Sequence, residues 1–203
     1  MGDYTVHIVD DEEPVRKSLA FLLTMAGFTV RVHDSATAFL DAAPAIRNGC
    51  LVTDLRMPDI SGVELLRRLG DMSANIPSIV ITGHGDVPMA VAAMKAGALD
   101  FIEKPFEDEV LIAAIRRAAT KLAKNAAGED IGAIRRRLDT LSEREREVLS
   151  GVVAGLPNKT IAYDLDISPR TVEVHRANVM TKMEARSLPE LVRMALAAGF
   201  GPA

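Results

Sequence analysis

Cys50-Leu51-Val52-Thr53-Asp54 carries a short buried-type run straight into a carboxylate, and Met57-Pro58-Asp59-Ile60-Ser61-Gly62 then breaks the chain before a helical pattern resumes at Val63. Strand, acidic tip, loop, helix is the grammar of a β/α unit. The same grammar lies on both sides. Val6-His7-Ile8-Val9 ends in Asp10-Asp11, Ile79-Val80-Ile81 ends in Thr82-Gly83, and Asp100-Phe101-Ile102-Glu103 ends in Lys104-Pro105. A further strand pattern runs from Thr29 to Val32. Helical patterns follow each strand: Pro14 to Ala26, Ala36 to Ala42, Val63 to about Leu69, Val87 to Lys95, and about Glu107 to Leu122. Five β/α units predict an open parallel sheet with helices on both faces and right-handed crossovers.

In such a sheet the strand C-termini line one crevice. Asp10, Asp11, Asp54, Thr82 and Lys104 are therefore expected to converge there. Two repelling problems face a carboxylate that is to accept a phosphoryl group: it is a weak nucleophile, and it repels phosphate. A hard divalent cation answers both, and magnesium prefers six oxygen ligands, often with some waters. Asp10 and Asp11 are candidate ligands, direct or through water. Asp54 is the candidate that binds metal with one oxygen and attacks phosphorus with the other. Lys104 and Thr82 are placed to meet phosphoryl oxygens. Taken singly, each residue has a plain structural use as a turn, cap or surface charge. Their joint placement is what points to chemistry.

Bulk properties narrow the classes. The chain has 203 residues, 48% hydrophobic and 26% charged, as in an ordinary globular protein. The lone cysteine, Cys50, has no intramolecular partner and reads as a small buried hydrophobe of a reducing compartment. Asp10 to Glu13 interrupt the N-terminal region before a signal-length apolar run develops, Val6 occupies the position where a myristoylation motif needs Ser or Thr, and no apolar stretch approaches a membrane span. A cytoplasmic protein without membrane contact is expected. Net charge is −4, with 13 Lys/Arg against 17 Asp/Glu through Lys124 and 11 of each beyond it. Any nucleic-acid surface must be a local patch.

The grammar changes near Lys124. Residues 125–130 are polar and weakly periodic, and beyond Ile134 no strand pattern is evident. Ser142-Glu143-Arg144-Glu145 is a capping box, opening a helix that stops near Gly155. Asn158 to Leu165 forms a short helix, Asp166-Ile167 a turn, and Ser168-Pro169 the cap and first turn of a helix to Met183. Leu188 to Ala198 supplies another. Short helix, turn and capped second helix is helix-turn-helix spacing. Val172, Val179 and Met183 are expected to pack inward, with His175 near them. Arg170, Thr171, Glu173, Val174, Arg176, Asn178 and Lys182 are expected on other faces, where a recognition helix must reach phosphates and base edges. A plain helical packing module with a solvated charged face fits the periodicity equally well.

The first pattern resembles the receiver domain of two-component response regulators. Asp10-Asp11, Asp54, Met57-Pro58, Gly62, Thr82, Phe101 and Lys104-Pro105 carry the likeness, which covers residues 3–122. It implies a flavodoxin-like doubly wound sheet of order 2-1-3-4-5. It also implies Mg2+ on Asp11, Asp54 and the Arg56 backbone carbonyl, Thr82 and Phe101 as switch residues, and a cis bond before Pro105. The segment Leu141 to Leu196 resembles the LuxR-type DNA-binding domain through Leu141-Ser142-Glu143-Arg144-Glu145, Asn158-Lys159-Thr160-Ile161-Ala162, Ile167-Ser168, Thr171-Val172, His175 and Glu190-Leu191. Together these resemble the NarL/FixJ family: receiver 3–122, linker 123–137, helix-turn-helix domain 138–200. Glu173 departs from it, since many relatives carry lysine there; glutamate repels phosphate but can accept from cytosine N4.

Lys159, Arg170, Arg176 and Lys182 are the expected backbone contacts, and Glu173 and Val174 the base discriminators. The resemblance implies a histidine kinase as phosphodonor, double-stranded DNA and RNA polymerase as partners, and a homodimer when phosphorylated. A close likeness within the family to regulators of nitrogen fixation implies an oxygen-sensing haem kinase and activation of nitrogen-fixation genes, which nothing in composition or spacing carries. The rivals are an aspartyl-phosphate phosphohydrolase and a phosphorylated protein-binding adaptor. The phosphohydrolase signature needs a second acid two residues after the nucleophile, where this chain has Arg56.

Overall fold

In the computed structural model the described residues are 4–72, 74, 76–83, 86–124 and 131–201, with side chains of 121–124 set aside. His84 and Gly85, part of the loop after Thr82, and residues 125–130 of the expected linker lie outside them. The chain divides into two compact units, one drawn from Met1–Gly85 and Ala96–Ala127, the other from Asp86–Lys95 and Gly128–Ala203.

The first unit is built on five parallel strands: β1 (Thr5–Val9), β2 (Thr29–His33), β3 (Gly49–Asp54), β4 (Ser78–Thr82) and β5 (Asp100–Glu103), in the order β2-β1-β3-β4-β5. That is the expected topology. β1, β3 and β4 are central and buried on both faces, which is why they read as mostly apolar runs, interrupted in β1 by His7. Helices α1 (Glu13–Met25), α2 (Ala36–Ala42), α3 (Gly62–Asp71) and α5 (Asp108–Lys124) alternate with them, and α4 (Val87–Lys95) lies between β4 and β5 in the chain. One core packs Leu19 and Leu23 of α1 and Leu111, Ala114 and Ile115 of α5 with Val6, Ile8, Val52, Ile79 and Ile81. Alternation sends His7 to the other face. There its ring meets Phe39 of α2 edge-on and stacks on His33 of the neighbouring strand, with His7 Nδ1 and His33 Nε2 sharing a hydrogen bond at 3.0 Å.

The second unit holds a helical core of Ile134, Leu138, Leu149, Val153, Val179, Met183, Leu191 and Met194. These come from α6 (Ile131–Asp139), α7 (Glu143–Ala154), α9 (Pro169–Met183) and α10 (Leu188–Ala197), with α8 (Asn158–Asp164) completing the set. The starts follow local chemistry. Ser142 and Glu145 close a reciprocal capping box on α7, Gly155 ends it at φ 84°, and Ser168 caps α9 by accepting from the Thr171 N–H. Helix α6 takes up residues 131–137 of the expected linker, whose helical or irregular state the sequence left open. Ile134 and Leu138 lie one helical turn apart and bury into the core, so tertiary packing stabilises a helix whose Arg135-Arg136-Arg137 run looks like solvated linker.

Candidate functional site

The tips of β1, β3 and β5 bring three charges together. Lys104 Nζ lies 3.3 Å from Asp54 Oδ1 and 3.4 Å from Asp10 Oδ2, so one ammonium bridges two carboxylates that are 44 residues apart in the chain. Each group is held from its own loop. The Glu12 N–H donates to Asp10 Oδ1 at 2.9 Å, and the Arg16 guanidinium of α1 donates to the Asp10 carbonyl at 2.7 Å. The Arg56 N–H donates to Asp54 Oδ2 at 2.7 Å. The Lys104 N–H donates to the Thr82 carbonyl at 2.8 Å, tying the β4 and β5 tips, and the peptide before Pro105 is cis as expected.

Accessibility separates the roles. Asp10 is buried, with a side chain only 2% exposed, while the Asp54 side chain keeps 14% and that of Lys104 26%. Burial pushes the Asp10 carboxyl up, the Glu12 N–H and Lys104 pull it down, and the Asp54 charge pushes it up again. Gly62 at the start of α3 packs against the backbone of Asp54 so closely that any Cβ there would collide with the Asp54 carbonyl oxygen. That explains the glycine after the Met57-Pro58 loop: it lets α3 begin directly behind β3.

Thr82 sits at the β4 tip, fully buried, and Phe101 is half-buried on β5. Asp11 follows Asp10 at the β1 tip but is exposed, and no group of three or more His, Cys, Asp or Glu closes up as a metal cage among the described residues. The donor set nevertheless suits a hard cation. It is all oxygen, and two carboxylates share one ammonium, leaving excess negative charge.

On the helical unit, Lys159, Arg170, Glu173, Val174 and Asn178 are exposed, Val174 at 55%. Thr171 is half-buried and its hydroxyl shares a hydrogen bond with Ser168 at 2.8 Å. His175 is half-buried and its buried Nδ1 has no hydrogen-bond partner among the described residues. Two expected phosphate contacts are engaged within the protein. Arg176 donates to Asn158 Oδ1 at 2.7 Å, and Lys182 reaches Glu145 Oε2 at 2.6 Å. The sequence reading missed both partners; Glu145 was visible only as a capping residue.

Sheet order, acidic strand tips and bridging lysine define a receiver, and α8–turn–α9 a helix-turn-helix. The chain belongs to the response regulators that join these two: residues 6–116 match the response regulator receiver domain and residues 139–195 the bacterial regulatory proteins of the luxR family. Within that class its likeness is to FixJ. It is 77% identical, over the full length of both chains, to the transcriptional regulatory protein FixJ of Rhizobium meliloti. It is 59% identical to FixJ of Azorhizobium caulinodans, with 98% of this chain and 94% of that one covered. Full-length FixJ from B. japonicum is similar in structure at 52% identity, 98% coverage of both chains and a TM-score of 0.60. The chain is thus a two-component transcriptional regulator rather than an enzyme acting on external substrate. None of its described helices is long and apolar enough to cross a membrane.

Proposed function

We propose that this chain is a transcriptional activator switched by phosphorylation of Asp54. The Lys104 bridge between Asp10 and Asp54 carries this reading, because it marks a site poised to take up a further anion alongside a cation. One Asp54 oxygen attacks the phosphorus of a phosphohistidine on the kinase. The new O–P bond forms as the N–P bond breaks, and the imidazole leaves with the electron pair. The Arg56 N–H holds the carboxylate in place, and Lys104 neutralises a phosphoryl oxygen as charge moves in. Asp10, Asp11, Asp54 and the Arg56 carbonyl are the groups that would hold magnesium, which supplies the remaining charge neutralisation when bound. Thr82 then turns to the acyl phosphate and Phe101 fills the space it leaves, which remodels the receiver surface for homodimerisation.

The dimer reads two half-sites in double-stranded DNA through Lys159, Arg170, Thr171, Glu173 and Val174, and recruits RNA polymerase. The chain's similarity to transcriptional regulators named FixJ is what prompts the further reading, carried by the family resemblance alone, that its targets are nitrogen-fixation genes and its donor an oxygen-sensing haem kinase. The test is incubation of the full chain with acetyl phosphate and Mg2+, followed by phosphoprotein electrophoresis and genome-wide mapping of bound DNA. One phosphate per chain, lost slowly and absent from Asp54→Asn, with sites gained on phosphorylation, is the expected result. Rapid turnover of a phosphate ester would indicate a phosphohydrolase, and phosphorylation without any bound DNA an adaptor.

A further inference from the structure

Glu145 is a buried carboxylate, its side chain 6% exposed, on the first turn of α7. It accepts from the Ser142 N–H at 2.7 Å and from Lys182 Nζ of α9 at 2.6 Å, and the same ammonium lies 3.3 Å from the Thr140 carbonyl oxygen. Lys182 and the Ser142 N–H both hold the Glu145 carboxyl below its ordinary range. Moving Lys182 to a DNA phosphate would strip a buried anion of the charged partner 2.6 Å away, which is strongly unfavourable. Arg176, six residues earlier on α9, is half-buried and spends its Nη1 on the Asn158 side chain at the start of α8. Asn158 therefore serves α9 rather than capping its own helix, whose cap position is Pro157. Lys182 itself keeps 38% of its side chain exposed while its ammonium is engaged by Glu145, and the other exposed basic side chains on α8 and α9 are Lys159 and Arg170.

We infer that Lys182 and Arg176 are positioning residues: they clasp α9 to α7 and α8 and fix the pose in which Lys159, Arg170, Glu173 and Val174 meet DNA, without themselves neutralising phosphates. The inference rests on the DNA-reading function proposed above. Two signatures separate it from direct contact. A phosphate contact contributes to the salt dependence of binding, lowering the slope of log K against log salt by about 0.9 when removed. A clasp contributes to affinity through geometry and is restored by removing its buried partner charge as well.

The experiment uses the full chain and a fluorescent duplex that the wild-type chain selects from a random-sequence pool. Lys159→Ala and Arg170→Ala should each lower the slope by about 0.9. Lys182→Met should change it by less than half of that yet weaken binding about tenfold at every salt concentration, as expected for loss of roughly 1.4 kcal/mol of helix positioning. The double variant Glu145→Gln with Lys182→Met should recover to within about threefold of wild type, because no unpaired charge is then buried. Arg176→Met should behave as Lys182→Met does. Should Lys182→Met fail to fold, the double variant carries the slope measurement. A slope falling by a full contact in either positioning variant, or no recovery in the double variant, overturns the inference. A wild-type chain that selects no duplex overturns the DNA reading itself, and with it this inference, before any variant is compared.

Discussion

At Gly62 a single hydrogen separates the observed packing of α3 on β3 from a steric collision with the Asp54 carbonyl oxygen. Gly62→Ala should therefore push the start of α3 away from β3. Overpacking of this kind typically costs about 1–3 kcal/mol, and denaturant unfolding should show a loss in that range together with slower phosphoryl uptake; a variant as stable and as fast as wild type would show the contact to be relaxed at no cost. Cys50 makes the opposite case. It is wholly buried within β3, and burial pushes its thiol up to about 12. The prediction is that a thiol-reactive dye labels it only on unfolding, with labelling in native buffer counting against the burial. Residue types at strand tips were legible because acids, a hydroxyl and a lysine have few reasons to share one crevice. The partners of Arg176 and Lys182 were not, since helical periodicity places a side chain on a face but leaves open which residue, 18 or 37 positions away, will meet it.

The paired imidazoles on β1 and β2 give the receiver a pH response. Burial pushes His7 down to about 4, with His33 and Arg31 adding to the effect; His33 is likewise lowered by burial and Arg31, against the opposing pull of Asp34. Both rings are neutral in the folded chain at pH 7, and the unfolded chain binds more protons once pH falls below the ordinary value of about 6.5. Stability contributed by His7 is complete above that value, declines as pH drops, and levels off near its folded value of about 4, with the lowered His33 acting in the same direction. The expected loss is on the order of 3 kcal/mol for His7. Unfolding midpoints of wild type and His7→Gln across this window should converge as pH falls, and parallel curves would exclude the pair as the cause.

Helix starts carry a second expectation at this scale. Ser142→Ala should cost about 1 kcal/mol by removing the α7 cap, measured as a shift in the unfolding midpoint; an unchanged midpoint would show that Glu145 and Lys182 hold the helix start alone. Most elements were legible because their caps and periods agree: the α4 and α9 patterns both match the observed helices. Helix α6 was obscured by three consecutive arginines between its two buried residues, a pattern in which charge outweighs periodicity until a core is there to receive Ile134 and Leu138.

Across the whole molecule the net charge is −4 and the sequence pI about 5.6, so attraction to DNA cannot come from overall charge. On the proposed function it comes from exposed cations such as Lys159 and Arg170 on α8 and α9, and affinity should fall steeply with added salt through counterion release. A flat response in a titration of binding against salt would remove the helical unit from the class of DNA readers. The switch itself has a more direct test. The full chain, phosphorylated with acetyl phosphate and Mg2+, is reduced with borohydride, which converts an aspartyl phosphate to homoserine, and is then mapped by peptide mass spectrometry. The account predicts homoserine at position 54 and at no other aspartate. Conversion at Asp10 or Asp11 instead, or phosphate retained with no aspartate converted, would contradict it.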